Sequence, residues 1–237
     1  MKTHSKGVVL RSIDYSDTSA IVKIFTHNHG LRSFLIRAVK GKRKKTAYLQ
    51  PLSLIEIEYH LHERKDLLVA GNIRFLESYH SIPVHPHKRM VGLFLAEVLG
   101  EVVKSDHLDE PLFDYIHSHL LLFDLEDWNA NFHLFFLAGM TRYLGFYPLL
   151  TESPRYFDLE NGAFLPASGN HTGHSKAIET EYLYRMFTAS WEDLKALKMN
   201  REVRNKLTQL IIQYFESHSA GMRKLKSLDV LTEVINE

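Results

Sequence analysis

The chain has 237 residues, 45% of them hydrophobic and 24% charged, which is enough to bury a real core in one domain or two modest ones and is not the composition of a disordered protein. It has no cysteine, which excludes a disulfide framework, a thiolate zinc site and a cysteine nucleophile, and suits a reducing compartment. The net charge of +1 averages two unlike parts: residues 1–80 hold fourteen Lys and Arg against seven Asp and Glu, and residues 81–237 hold fifteen against twenty-one.

In chain order, the start, MKTHSKGVVLRSIDYSD, has too short an apolar run for a signal peptide. No later stretch approaches the roughly 20 apolar residues of a membrane span, so the expectation is a soluble, cytoplasmic protein with no membrane partner. GVVLRSIDY (7–15) and SAIVKIFTH (19–27) read as β-strands, and Asn28-His29-Gly30 is a turn signal with Gly30 free to take positive φ. LRSFLIRAV (31–39) alternates again. A basic stretch follows, then LSLIEIEYH (52–60) is a clean period-2 strand and DLLVAGNIRFLESY (66–79) a fifth. Five short strands in about eighty residues, with a longer link between the third and fourth, predict an OB-fold barrel.

At SIPVHPHKR (81–89) two prolines mark a linker, and the period then changes to helical. MVGLFLAEVLGEVV (90–103) is apolar nearly all round, as in a helix covered on several sides. Helices are predicted at 111–123, opening on Pro111, and at 128–146, stopped by Tyr147-Pro148. Residues 149–175 are rich in turn signals and predict an irregular excursion with a small hairpin around Asn161-Gly162. Helices resume at 175–189, 192–198, 201–219 and 223–235. The fold class is therefore α+β and multidomain, with an OB-fold β-barrel over 1–80 and an all-α helical domain over 81–237 interrupted by a loop-rich insertion at 149–175.

The strongest chemical signal lies between strands three and four. Arg37, Lys40, Lys42, Arg43, Lys44 and Lys45 place six cations in nine positions, and no acidic residue occurs between Asp17 and Glu56. Like charges crowded onto one loop repel each other, so such a loop is suited to a polyanion, whose counterions it would displace without reading sequence. Lys23 and Arg32 lie on the adjoining strands, and Lys2, Lys6 and Arg11 add charge near the start. Phe25 and Phe34 fit barrel core by their spacing, while Tyr48, at the exit of the loop, is the better candidate for stacking on bases. A second basic cluster includes Lys198, Arg201 and Arg204, which would share a stripe on a continuous helix, though a solvated helix face explains it equally well.

Other chemistry finds little support. Four His pairs at i, i+2 (27/29, 60/62, 85/87 and 117/119) and the pair His171/His174 do not assemble a four-ligand zinc site without cysteine, so no metal or other cofactor is expected. There is no Gly-rich phosphate loop, HExxH or GxSxG, and the acidic residues near helix ends suit caps, so an enzyme is not expected.

Several segments carry a resemblance to the bacterial recombination mediator family RecO. They are KGVVLRSIDYSD, the FTHNHG turn, the KGKRKK loop, the LQPL strand start, LGFYPLL (144–150) and KSLDVLTEV (226–234). Many members of the family follow the LGFYP-like segment with two C-x-x-C pairs that hold zinc, whereas this chain has none between Leu150 and His174. The resemblance therefore does not support zinc here, and the insertion is expected to be held by packing through Tyr156, Phe157 and Phe164. It implies a non-enzymatic DNA-repair factor that binds single- and double-stranded DNA, anneals complementary strands, and with RecR helps load RecA onto strands coated by single-stranded DNA-binding protein (SSB). It also implies a contact between the helical domain and the acidic, apolar-ended tail of SSB, for which Arg142 is a candidate. Two alternatives stay open at this point: an RNA-binding OB-fold protein and a metal-dependent nuclease.

Overall fold

The computed structural model describes residues 2–37, 45–62, 65–104, 108–166 and 177–234. Five strands, β1 (Lys2–Ser16), β2 (Ser19–Thr26), β3 (Gly30–Arg37), β4 (Leu54–His60) and β5 (Leu67–Phe75), close into a barrel in the order β1-β2-β3-β5-β4. All neighbours run antiparallel except β3 and β5, which are parallel. The OB-type barrel expected from the strand count and spacing is thus present.

Strand β1 does more than its sequence advertises. Its first half, Lys2 to Val8, pairs with β4, and Gly7 to Ser16 pairs with β2. A shift of register between Val9 and Arg11 bends the strand from one partner to the other, as bulges do. Gly7 stands where both ladders meet; a Cβ there would lie 2.6 Å from Ile24 Cγ2, so any side chain would force the buried Ile24 to shift. At the β2–β3 turn Gly30 takes φ +65°, as its turn signal predicts. Leu52 also has positive φ (66°), rare for a bulky side chain. Its N–H donates to Val9 O at 2.7 Å and its carbonyl accepts from Tyr79 Oη at 2.8 Å, which holds it there.

The barrel interior is filled by inward-pointing residues such as Val9, Val22, Ile24, Phe34, Ile57 and Tyr59, all exposed by 1% or less. Each contributes about 1.5–3 kcal/mol by leaving water. Phe34 is core, as its spacing suggests. Phe25 is buried too, but on the outer wall: it packs on Phe113, 5.7 Å between ring centroids, in a helix that follows the barrel.

That helix is α2 (Glu110–Leu125), and α1 spans Pro86–Val102. Both start with proline in the first turn and a side-chain cap, His85 for α1 and Asp109 for α2. Residues Met1–Asp127 and Leu225–Leu231 form one compact unit, and Trp128–Lys224 with Thr232–Glu237 form another. The change of periodicity near residue 80 is therefore a change of secondary structure inside a compact unit. The chain between barrel and α1 is tied down. Lys88, 1% exposed, donates from Nζ to Ser81 Oγ (2.6 Å), Asp124 O (3.2 Å) and Glu126 O (2.5 Å). The Asp124 carboxylate accepts from the backbone N–H groups of His80, Ser81 and Ile82 at 2.7–2.9 Å. Burial alone would raise its pKa; these bonds outweigh that and hold it low.

The second unit is built on α3 (Phe132–Leu144), the hairpin β6 (Tyr156–Asp158) and β7 (Ala163–Leu165), α4 (Ala177–Thr188), α5 (Trp191–Lys195) and α6 (Arg201–His218). Helix α3 ends at Gly145, φ +82°, two residues before the Tyr147-Pro148 stop read from sequence. The expected hairpin is present, turning through Asn161-Gly162, and it is held by packing: Phe157 and Phe164, each 1% exposed, pack on Phe187, while Tyr156 is half-buried. A last helix, α7 (Ser227–Val234), begins in the segment that belongs to the first unit. The N–H groups of Ser227 and of Lys226 just before it donate at 2.9 Å to the Glu97 carboxylate of α1, which also accepts from Ser227 Oγ. Among the described residues no helix is long and apolar enough to cross a membrane.

Candidate nucleic-acid interface

Strand alternation decides which cations reach solvent. On β2, Ala20, Val22 and Ile24 point into the barrel, so Ile21 and Lys23 point out; on β3, Phe34 and Ile36 point in, so Ser33, Leu35 and Arg37 point out. The register places Arg11 opposite Lys23, Lys23 opposite Ser33, and Arg37 opposite Ser19. Arg11, Lys23 and Arg37 are exposed, and among the described residues none of them makes an ion pair. Lys40, Lys42, Arg43 and Lys44 lie outside the described residues, as do His171 and His174. The two ends of the basic stretch are described: the chain leaves β3 at Arg37 and re-enters at Lys45, the first residue of a 3-10 turn, Lys45–Leu49.

Arg32 differs from Lys23 although both lie on the same strand pair. It sits opposite inward-facing Ile24, is half-buried, and its Nε donates to His29 O at 3.0 Å. Beside it, Tyr59 Oη and His29 Nδ1 are 2.6 Å apart, and burial followed by the Arg32 charge lowers the His29 pKa. Lys23 and Arg32 therefore occupy opposite sides of the sheet. Tyr48 is also committed: its ring packs 4.5 Å from that of Phe75 and against the barrel core, leaving it half-buried. An exposed aromatic on β1 is Tyr15, 64% exposed, in the irregularity between Asp14 and Ser16.

The other side of the barrel is equally rich in cations but balanced. Lys2, His4 and Lys6 lie opposite His60, Glu58 and Glu56 on β4, and Glu56 lies opposite Arg74 on β5. Lys2 Nζ is 2.7 Å from Glu58, and Arg74 holds Glu56 through two of its nitrogens. The Lys2 hydrogen bond keeps the Glu58 carboxyl below its usual range. His4, Ser5, Lys6, His27, Asn28 and Glu56 line a shallow cavity of about 230 Å³ at one end of this face.

In the second unit the basic cluster comes apart. Helix α6 starts at Arg201 with Asn200 as its cap, so Lys198 precedes the helix and no stripe of three forms. Arg204 is tied inward, donating from Nε to Asn131 Oδ1 (3.0 Å) and from Nη2 to Met199 O (2.8 Å), and burial lowers its pKa. Its role in the structure is to join α6 to the start of α3. Lys198 and Arg201 remain exposed. Arg142 lies across the Tyr147 ring, 4.5 Å from its centroid, and donates to Tyr147 Oη and Phe187 O. Exposed apolar residues Tyr143, Leu149 and Leu150 follow it in the chain. Among the described residues no three His, Asp or Glu groups are arranged to hold a metal ion.

Comparison with known proteins matches one family across both parts of the chain. Residues 1–79 match the model described as Recombination protein O N terminal, and residues 86–229 match Recombination protein O C terminal. This chain belongs to the RecO family. Relatives named DNA repair protein RecO include one from Bacteroides fragilis, 34% identical over 97% of this chain and 98% of its own length. Another, from Flavobacterium psychrophilum, is 32% identical over the full length of both chains, and one from Porphyromonas gingivalis is 26% identical over 98% of each. The RecO match thus runs through barrel and helices alike. Arg11, which the sequence shows only as charge near the start, lies in register beside Lys23.

Proposed function

We propose that this protein is a recombination mediator: it binds single- and double-stranded DNA by backbone charge, anneals complementary strands and, with RecR, promotes RecA loading on SSB-coated DNA. The observation that carries this reading is the open cationic face of Arg11, Lys23 and Arg37, from whose edge the basic segment 37–45 departs. A surface of this kind neutralises phosphates without reading bases, and neutralised complementary strands approach each other more readily. In the second unit Arg142, with Leu149 and Leu150, is the proposed seat of the SSB tail, a cation beside apolar surface. The cytoplasm, where RecA and SSB act, is its proposed location, and no catalytic step is assigned.

The test is a variant reversing Lys42, Arg43, Lys44 and Lys45 to glutamate. It should weaken binding to all DNA sequences alike and flatten the dependence of affinity on salt. Full affinity in that variant would count decisively against the reading. Annealing of complementary oligonucleotides, with and without SSB across a salt titration, tests the mediator step. Competition by matched RNA separates this from an RNA-binding role, since preference for RNA requires recognition of the 2′-OH.

A further inference from the structure

Between the cations of the open face runs a row of apolar side chains. Ile13, Ile21, Leu35 and Val69 are paired in register across β1, β2, β3 and β5. Ile13 is 50% and Val69 49% exposed, and Ile21 and Leu35 between them are half-buried. On one side lies the row containing Arg11 and Lys23, and on the other the row ending at Arg37. Successive outward rows are two residues apart along a strand, so the row of Arg11 and Lys23 and the row that holds Arg37 stand about 13 Å apart with the apolar row midway. A stripe of branched aliphatics across four adjacent strands, exposed at both ends and half-buried between, is costly to leave in water, and lone exposed residues do not account for it.

We infer that this row is a base platform that makes the face selective for single strands. The inference rests on the DNA-binding reading above and adds to it which form of DNA the face prefers. Phosphates on the flanking cations would leave the bases of an unpaired strand above the aliphatic row, where their faces displace water from it. A duplex turns its bases inward and offers the row only sugar and phosphate, so the same row gives it nothing. Charge complementarity decides the occupant: the row is bracketed by cations without carboxylate partners among the described residues, which suits a polyanion that also has apolar surface. Aliphatic contacts carry no hydrogen-bond code, so the preference is blind to sequence. They release no counterions, so it survives salt.

The experiment compares two sets of variants on matched single-stranded and duplex oligonucleotides across a salt series. Ile13→Thr with Val69→Thr keeps β-branched residues on the strands, and thermal melting checks the fold. It should lower affinity for single strands by roughly tenfold, leave duplex affinity unchanged and leave the salt slope of both unchanged. Lys23→Glu with Arg37→Glu should weaken both forms and lower the slope. Equal losses on single strands and duplex from the Thr variant, or no loss on single strands, overturns the inference; in the second case the row belongs to a protein partner. If the unaltered protein binds neither form, the DNA-binding reading falls first and takes this one with it.

Discussion

On the β1–β4–β5 side of the barrel Lys2 and Arg74 are held by Glu58 and Glu56, while on the β1–β2–β3 side Arg11, Lys23 and Arg37 make no ion pair among the described residues. Both sides are cationic by count, and β1 supplies residues to each. The difference lies in what stands across the ladder. Alternating Glu56 and Glu58 on β4 fall in register with Lys6 and His4, whereas β2 and β3 have no acid to offer. Exposed ion pairs add little to stability, but they remove the counterion release that drives binding to a phosphate backbone. A basic surface is therefore defined by register as much as by composition.

This contrast can be attacked from several directions. The largest effect on DNA affinity is expected from reversing Arg11, Lys23 and Arg37 together to glutamate: a loss on the order of 100-fold at low salt, with the salt slope reduced by about 0.9 for each phosphate contact removed. Fluorescence anisotropy across a salt series measures both, and an unchanged slope would place the DNA elsewhere. A smaller change of opposite sign should follow Glu56→Gln with Glu58→Gln, which frees Lys2 and Arg74. Affinity should rise by roughly threefold, at a stability cost below about 1 kcal/mol. No rise would mean that this side is closed to DNA for reasons other than charge.

Buried cations should matter to folding and not to DNA. Lys88→Met leaves Ser81 Oγ and two carbonyls without their donor and should cost about 3 kcal/mol in denaturant melts, with DNA affinity per folded molecule unchanged. His133, fully buried with Nε2 2.8 Å from Thr208 Oγ1, should have the least effect on DNA. Burial, with help from the Arg204 charge, pushes its pKa down to about 3. The folded form thus stays neutral where the unfolded chain, near 6.5, takes a proton. Its stabilising contribution is complete above pH 6.5 and is lost as pH falls toward 3, with a slope of up to about 1.4 kcal/mol per pH unit. His133→Leu should flatten that part of the acid stability profile.

The strands were legible because β-branched and aromatic residues cluster in VLRSI and AIVKIF and alternate at period 2 in LIEIEY, and the helices because the period then changes near residue 86. The first half of β1 was not: KTHSK has no apolar alternation, and only pairing with β4 makes it a strand. Interior and outer wall are also alike in sequence. Phe25 follows Ile24 in an unbroken apolar run, and its burial depends on Phe113, eighty-eight positions away. The same holds for the site. Basic residues were visible, but whether each is free depends on distant partners: Arg204 on Asn131, Tyr48 on Phe75, Lys2 on Glu58. Local periodicity reports which way a side chain points, and long-range contacts decide what it meets there.

The Glu97 carboxylate that receives the N–H groups of Lys226 and Ser227 has a bearing on synthesis. Residues Leu225–Leu231, with Leu225 and Leu231 nearly fully buried, complete the unit that begins at the amino terminus. On the ribosome, where amino-terminal modules ordinarily finish first, this one is complete only once residues 225–231 have emerged. Damage to residues 225–231 would therefore be felt in the part of the protein that was made first.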